Sequence, residues 1–176
     1  MQSTPLPHFK YHPDPIGNGV IKQESTACPV CGKHREFVYV GPFYAPVDVE
    51  GICPWCIADG TAARMFGGEF MDPGTSEPAS DASMEEVAHR TPGYISWQDE
   101  PWLSHCGECC AFVGYVGWTE IEHLVDELSD DIARIEEEWQ FGGEGLRGVL
   151  HREGDVTGYL FECTVCGRHR LHIDAN

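Results

Sequence analysis

Eight of the nine cysteines fall into C-x₂-C pairs: Cys28/Cys31, Cys53/Cys56, Cys106/Cys109 and Cys163/Cys166. One such pair suits disulfide exchange as well as metal binding, but four in a short chain point to tetrahedral sulfur coordination of zinc. Two intervening residues make a tight turn that aims both sulfurs at one ion, about 2.3 Å from each. Residues 28–35 and 163–170 repeat the pattern C-x-V-C-G-x-H-R. The glycine after the second cysteine fits the positive φ that closes such a knuckle. Lys33, Arg35, Arg168 and Arg170 stand where they offset thiolate charge.

The first site joins Cys28/Cys31 to Cys53/Cys56 across 21 intervening residues. That length accommodates a hairpin and gives a treble-clef-like order of knuckle, hairpin, second knuckle and helix. The second site joins Cys106/Cys109 to Cys163/Cys166 across 53 residues, so only the fold can bring its halves together. Here Cys110 competes with Cys109, and His105 or His169 competes with a thiolate. Cys110 is otherwise a small apolar packing residue. The expected cofactor is therefore Zn²⁺, one ion or two per chain. Four thiolates close the shell and leave no position for a reacting water, which makes the metal structural. Closed sites of this kind supply roughly 10–16 kcal/mol of apparent binding energy, comparable with a whole domain's stability of about 5–15 kcal/mol.

Other chemistries have weaker support. Cys53-Pro54-Trp55-Cys56 at the start of a helix has the look of a thioredoxin-type redox pair, and a thiol–disulfide enzyme is the alternative function. No βαβ pattern surrounds it. The nine histidines match no H-E-x-x-H or similar spacing, and no G-x-S-x-G, Walker or Rossmann motif occurs. No catalytic residue is assigned, and a non-enzymatic binding or adaptor protein is expected.

Charge narrows the partners. Twenty-nine acidic residues against eleven basic ones give a formal net charge of -18, which repels phosphate backbones and favours a basic protein partner. The longest run of apolar residues and glycine, Cys109 to Trp118, has ten residues, half of a membrane span. The first residues lack the basic and apolar regions of a signal peptide. A cytoplasmic location without membrane insertion is the expectation, and it fits paired cysteines used for metal.

The elements that must position these residues are short. Residues 1–71 are read as an N-terminal zinc module led by a proline-rich, irregular segment over 1–27. Within it, Glu36–Val40 reads as a strand, Val47 and Val49 as a short extended piece, and Asp59–Phe66 as a helix with Asp59 as N-cap and Gly67-Gly68 as its stop. Residues 72–82 have linker composition. Residues 83–176 form a helical module ending in two strands, 158–161 and 168–173, with a metal knuckle between them. Ser83-Met84-Glu85-Glu86 reads as a capping box. Thr119-Glu120-Ile121-Glu122 reads as another, opening one long amphipathic helix whose apolar stripe runs through Leu124, Leu128, Ile132 and Ile135 to Trp139. This helix carries nine acids between Glu120 and Glu138. They form a solvated face or a docking face for the basic partner. Trp97, Trp102, Trp118 and Trp139, with Phe112 and Tyr115, are expected to build the module's core. The fold class is α+β, two small zinc-stapled modules packed with the long helix.

Several segments together resemble the CbrC family of small bacterial proteins. They are Phe9-Lys10-Tyr11-His12-Pro13-Asp14-Pro15, Gly41-Pro42-Phe43-Tyr44, Gly51-Ile52-Cys53-Pro54-Trp55-Cys56-Ile57-Ala58-Asp59-Gly60, Arg90-Thr91-Pro92-Gly93, Trp102-Leu103-Ser104-His105-Cys106-Gly107 and Phe161-Glu162-Cys163-Thr164-Val165-Cys166-Gly167. The resemblance implies a bacterial cytoplasmic protein, with a link to colicin tolerance and no catalytic residues to carry over.

Overall fold

Aromatic and β-branched residues make His34–Tyr39 a strand, β2, as expected, and it pairs antiparallel with β1, Ile21–Ala27. The expected irregularity of residues 1–27 fails at β1. Its interior, Lys22-Gln23-Glu24-Ser25, is polar and largely exposed, so it lacks a periodic apolar signal and is a strand because β2 supplies its partner. The structure, a computed structural model, is described here for residues 5–72, 78–98 and 101–176. The hairpin expected between Cys31 and Cys53 is replaced by one that uses residues on both sides of the knuckle at Cys28–Cys31. The piece through Val47 and Val49 forms no strand.

After Cys53 come α1, Pro54–Ala58, and α2, Thr61–Phe66, in place of one helix from Asp59. The Asp59 carboxylate accepts from the Thr61 N–H at 2.8 Å, so it caps α2 across a turn at Gly60, whose φ is 71°. Gly67, with φ 59°, ends the helix as expected. Helix α3, Asp81–Arg90, is capped by Ser80 rather than Ser83: the Ser80 hydroxyl accepts from the Ser83 N–H at 3.2 Å. Part of the linker reading, residues 73–77, lies outside the described residues, whereas Asp81 and Ala82 belong to α3.

A minimal hairpin follows, β3 (Ser104–His105) and β4 (Glu108–Cys109), then a three-stranded antiparallel sheet in order β5 (Ala111–Val116), β6 (Val156–Glu162), β7 (His169–Ala175). Between β5 and β6 the long amphipathic helix is broken. The chain forms α4 (Trp118–Ile121), a 3₁₀ turn (Glu122–Leu124), α5 (Ser129–Trp139) and α6 (Gly145–Val149). Contacts with β7 supply the reason. Glu127 turns its carboxylate to the backbone N–H and ring of His169. Asp131, at 5% exposure, accepts from the Arg170 Nε at 2.9 Å and the Leu171 N–H at 2.9 Å. The break falls at Glu127, where these bonds to His169 outweigh the modest propensity of a continued helix, whereas Asp131 anchors α5 from within it. The box at its start is shifted too, with Glu120 reaching back to the Gly117 N–H at 2.7 Å.

Three packed clusters result. Phe9, Ile21, Tyr39, Ile52, Ile57 and Phe70 surround Cys28, Cys53 and Cys56. Tyr94, Trp102, Phe112, Tyr159 and Phe161 form an aromatic core, with Tyr94 stacked on Phe112 at 4.5 Å between ring centres. Ile121, Leu128, Ile135, Leu146, Leu171 and Ile173 pack α5 and its neighbours onto the sheet. Trp102 and Phe112 are core residues as expected, but Trp97 and Trp139 are 55% and 40% exposed, Trp139 because it ends α5 and stacks on Phe141. The leading segment stitches clusters together: Phe9 enters the first and Tyr11 the second. Between them and the sheet, the fully buried His12 receives its neighbours as a neutral ring, with Nδ1 2.8 Å from the Pro92 carbonyl and Nε2 3.1 Å from the Asn18 amide.

Two candidate metal centres

The first knuckle is closed by its own backbone. The Cys28 N–H donates to the Lys33 carbonyl at 3.0 Å and the Gly32 N–H to the Cys28 carbonyl at 2.8 Å, with Gly32 at φ 66°. It occupies the tip of the β1–β2 hairpin. Opposite it, Cys53 stands just before α1 and Pro54 takes the first helical position, where the missing N–H costs nothing. The Tyr39 N–H donates to the Ile52 carbonyl at 2.8 Å, and this bond draws the second pair against β2.

Cys28, Cys31, Cys53 and Cys56 then place their sulfurs within 4.8 Å of one another. Two cross-pairs, Cys28–Cys56 and Cys31–Cys53, stand at 4.0 Å. Tetrahedral bonds of 2.3 Å require sulfurs roughly 3.8 Å apart, so the cage has the size of a Zn(Cys)₄ shell. The Cys53 N–H donates to the Cys28 sulfur at 3.4 Å, the kind of bond that orients a thiolate ligand. The Arg35 guanidinium lies over the Trp55 ring at 4.6 Å beside these sulfurs.

Electrostatics agree with the size. Burial, and then the neighbouring Cys53 thiol, push the Cys56 thiol far above its ordinary range. Burial works the same way on Cys31, but the Lys33 backbone and the other sulfurs outweigh it and bring that thiol down to about 7. Four thiols this close cannot all ionise without a cation among them, and a divalent ion supplies what the site lacks.

The second cluster departs from the ligand set drawn from spacing. His105, Cys106, Cys163 and Cys166 place one ligand atom each within 4.8 Å of the others, and Cys109 is not among them. The second knuckle repeats the first, with Cys163 N–H to the Arg168 carbonyl at 2.8 Å, Gly167 N–H to the Cys163 carbonyl at 2.9 Å, and Gly167 at φ 74°. Cys106/Cys109, by contrast, is no knuckle. Cys106 and Gly107, at φ 55° and 72°, are the two-residue turn of the β3–β4 hairpin, of the type that requires positive φ at both positions. That turn leaves His105 and Cys106 at the tip, while Cys109 pairs with Ser104 and is fully buried beside the aromatic core. Its N–H donates to the Ser83 hydroxyl at 3.2 Å.

The His105 Nδ1 lies 3.2 Å from the Cys106 sulfur and 3.4 Å from the Cys166 sulfur, near the roughly 3.5 Å expected between a nitrogen and a sulfur on one zinc. The Val165 N–H donates to the Cys163 sulfur at 3.4 Å. Cys110 is buried too, its N–H on the Leu103 carbonyl at 2.9 Å. His169, the other alternative ligand, faces Glu127. Glycine follows Cys31 and Cys166, the two knuckles, but neither Cys56, which joins the first cluster, nor Cys109, so no neighbouring residue in the sequence sets Cys109 apart from the ligands.

Among the described residues no helix is long and apolar enough to cross a membrane. The chain is 41% identical over 180 residues to the UPF0167 protein Mb2317 of Mycobacterium bovis, covering 98% of this chain and 96% of that one. It matches the UPF0167 protein MT2352 of Mycobacterium tuberculosis to the same extent, and is 39% identical over 183 residues to the UPF0167 protein PA1536 of Pseudomonas aeruginosa, covering 98% of each. No solved structure matches. The model of an uncharacterised protein family, UPF0167, matches residues 6–175. These matches correct the resemblance to the CbrC family, since family model and relatives carry the UPF0167 name, and the colicin-tolerance expectation that rested on it falls with it. The chain belongs to the UPF0167 family.

Proposed function

We propose that this protein is a non-catalytic bacterial zinc protein, holding one structural Zn²⁺ at Cys28, Cys31, Cys53 and Cys56 and a second at His105, Cys106, Cys163 and Cys166. The size of the first cage carries the reading, with sulfurs at 4.0 Å where a tetrahedral zinc shell needs about 3.8 Å. Each set offers four protein ligands and so leaves no position for a metal-bound water. What the ions do is join segments that the chain alone joins weakly: the β1–β2 hairpin to α1, in a treble-clef-like arrangement, and the β3–β4 hairpin to the β6–β7 knuckle.

The activity we assign is binding of another protein in the cytoplasm. A net charge of -18 selects a basic partner over nucleic acid, and the exposed Asp130, Glu137 and Glu138 of α5 offer it a face. Thiol–disulfide exchange at Cys53/Cys56 is the competing reading, favoured by their place at the start of α1. Elemental analysis of the purified protein, with thiols counted before and after chelation, separates the two. The zinc reading expects two zinc ions per chain and slow first-site thiols. An absence of zinc with a readily cycling Cys53/Cys56 pair overturns it.

A further inference from the structure

The two centres differ in what can reach them. In the first, Cys28, Cys53 and Cys56 are buried in an apolar cluster and Cys31 is half-buried. In the second, Cys163 is buried and His105 half-buried, but Cys106 and Cys166 are exposed. These two sulfurs come from separate hairpins, Cys106 from the β3–β4 turn and Cys166 from the knuckle between β6 and β7. They lie within 4.8 Å of each other. Cys106 also holds φ 55°, in the left-handed region that favours glycine, at the tip of the β3–β4 turn.

We infer that Cys106 and Cys166 form an oxidation site, at which a hydroperoxide converts the two thiolates to a disulfide and expels the second zinc. This rests on the zinc reading above. One thiolate attacks a peroxide oxygen. The O–O bond breaks, a sulfenic acid forms and hydroxide (or an alkoxide, from an organic peroxide) leaves. The second thiolate attacks the sulfenic sulfur, the S–S bond forms and hydroxide leaves, so two electrons pass from the sulfur pair to the peroxide. The ion then keeps only His105 and Cys163, too few to hold it against solvent. Closing the sulfurs to about 2.05 Å draws the turn and the knuckle tip together, a small motion of two exposed loops. The first centre presents no comparable pair, because apolar side chains exclude a small polar oxidant from its sulfurs.

The test starts from protein shown by elemental analysis to carry two zinc ions per chain. Fewer than two fails the zinc reading before any oxidant is added. Hydrogen peroxide is then added, zinc release is followed with a chromophoric chelator, and disulfides are mapped by mass spectrometry of proteolytic peptides. One zinc is expected to leave at least about tenfold faster than the other, following sulfur accessibility, with a Cys106–Cys166 cross-link in the released fraction. Thiol reductant and zinc together restore the second ion. Simultaneous loss of both ions, retention of both, or first formation of a disulfide within Cys28, Cys31, Cys53 and Cys56 overturns the inference.

Discussion

Two halves of this molecule carry the same knuckle yet use it differently. In the first, three of the four ligands are themselves members of the apolar cluster, and the side chains around them pack onto the sulfur cage. In the second, only Cys163 joins the aromatic core of Tyr94, Trp102, Phe112, Tyr159 and Phe161, while His105, Cys106 and Cys166 stand outside it at the ends of two hairpins. A metal at the heart of a core decides whether that core forms; a metal at its edge decides where two loops rest. The knuckle motif is one and the same, and burial sets its consequence.

The sharpest break of this comparison is loss of one ligand from each half. Cys53→Ser is expected to abolish the first zinc and unfold residues 9–70, since roughly 10 kcal/mol of metal-linked folding energy is withdrawn. Cys166→Ser is expected to remove only the second zinc and leave the sheet folded. Hydrogen exchange read by peptide, with zinc content, checks both. Loss of protection in β5–β7 from Cys166→Ser would show that the second half depends on metal as the first does.

Next in size is Asp131→Ala. The carboxylate is held below its ordinary range: burial opposes this, but the Arg170 guanidinium and the Leu171 N–H prevail. Removing one partner of a buried pair leaves Arg170 uncompensated and costs about 3–5 kcal/mol, read as a lower urea midpoint with both zinc ions retained. An effect that large without zinc loss would confirm that the second half is held by its own interactions.

His12 tests the seam between the halves. Burial, opposed by the Pro92 carbonyl and the Asp14 charge, lowers its pKa from 6.5 to about 4. The folded state therefore binds fewer protons than the unfolded one between these values. The stabilisation is whole above pH 6.5 and is lost as the pH falls toward 4, by roughly 3 kcal/mol in all. Denaturant titrations of wild type and His12→Gln across pH 7 to 4 isolate this slope from that of the thiols. Equal slopes would remove His12 as its origin.

The smallest effect separates the two ligand sets of the second centre. Cys109→Ala is expected to cost about 1 kcal/mol of packing and leave zinc content unchanged. His105→Ala is expected to lose the second ion. The reverse result would restore the ligand set read from spacing.

Much of this was legible in order of residues. Both glycine-closed knuckles, the β2 strand and the final pair of strands follow from neighbours in the chain, because turns and short hairpins are fixed by bonds between residues a few positions apart. The chain also carried its net charge of -18, on which the proposed basic partner rests. What it did not carry was decided across distance. The register of a two-residue turn put His105 in place of Cys109. The break in the helix falls at Glu127, whose carboxylate meets His169 of β7, while Asp131, on the buried face of α5 between Leu128 and Ile135, meets Arg170 and the β7 backbone. The pairing of β2 made a strand of polar β1. Spacing tells which residues can share a turn. Only packing tells which face of that turn meets a metal and which meets the core.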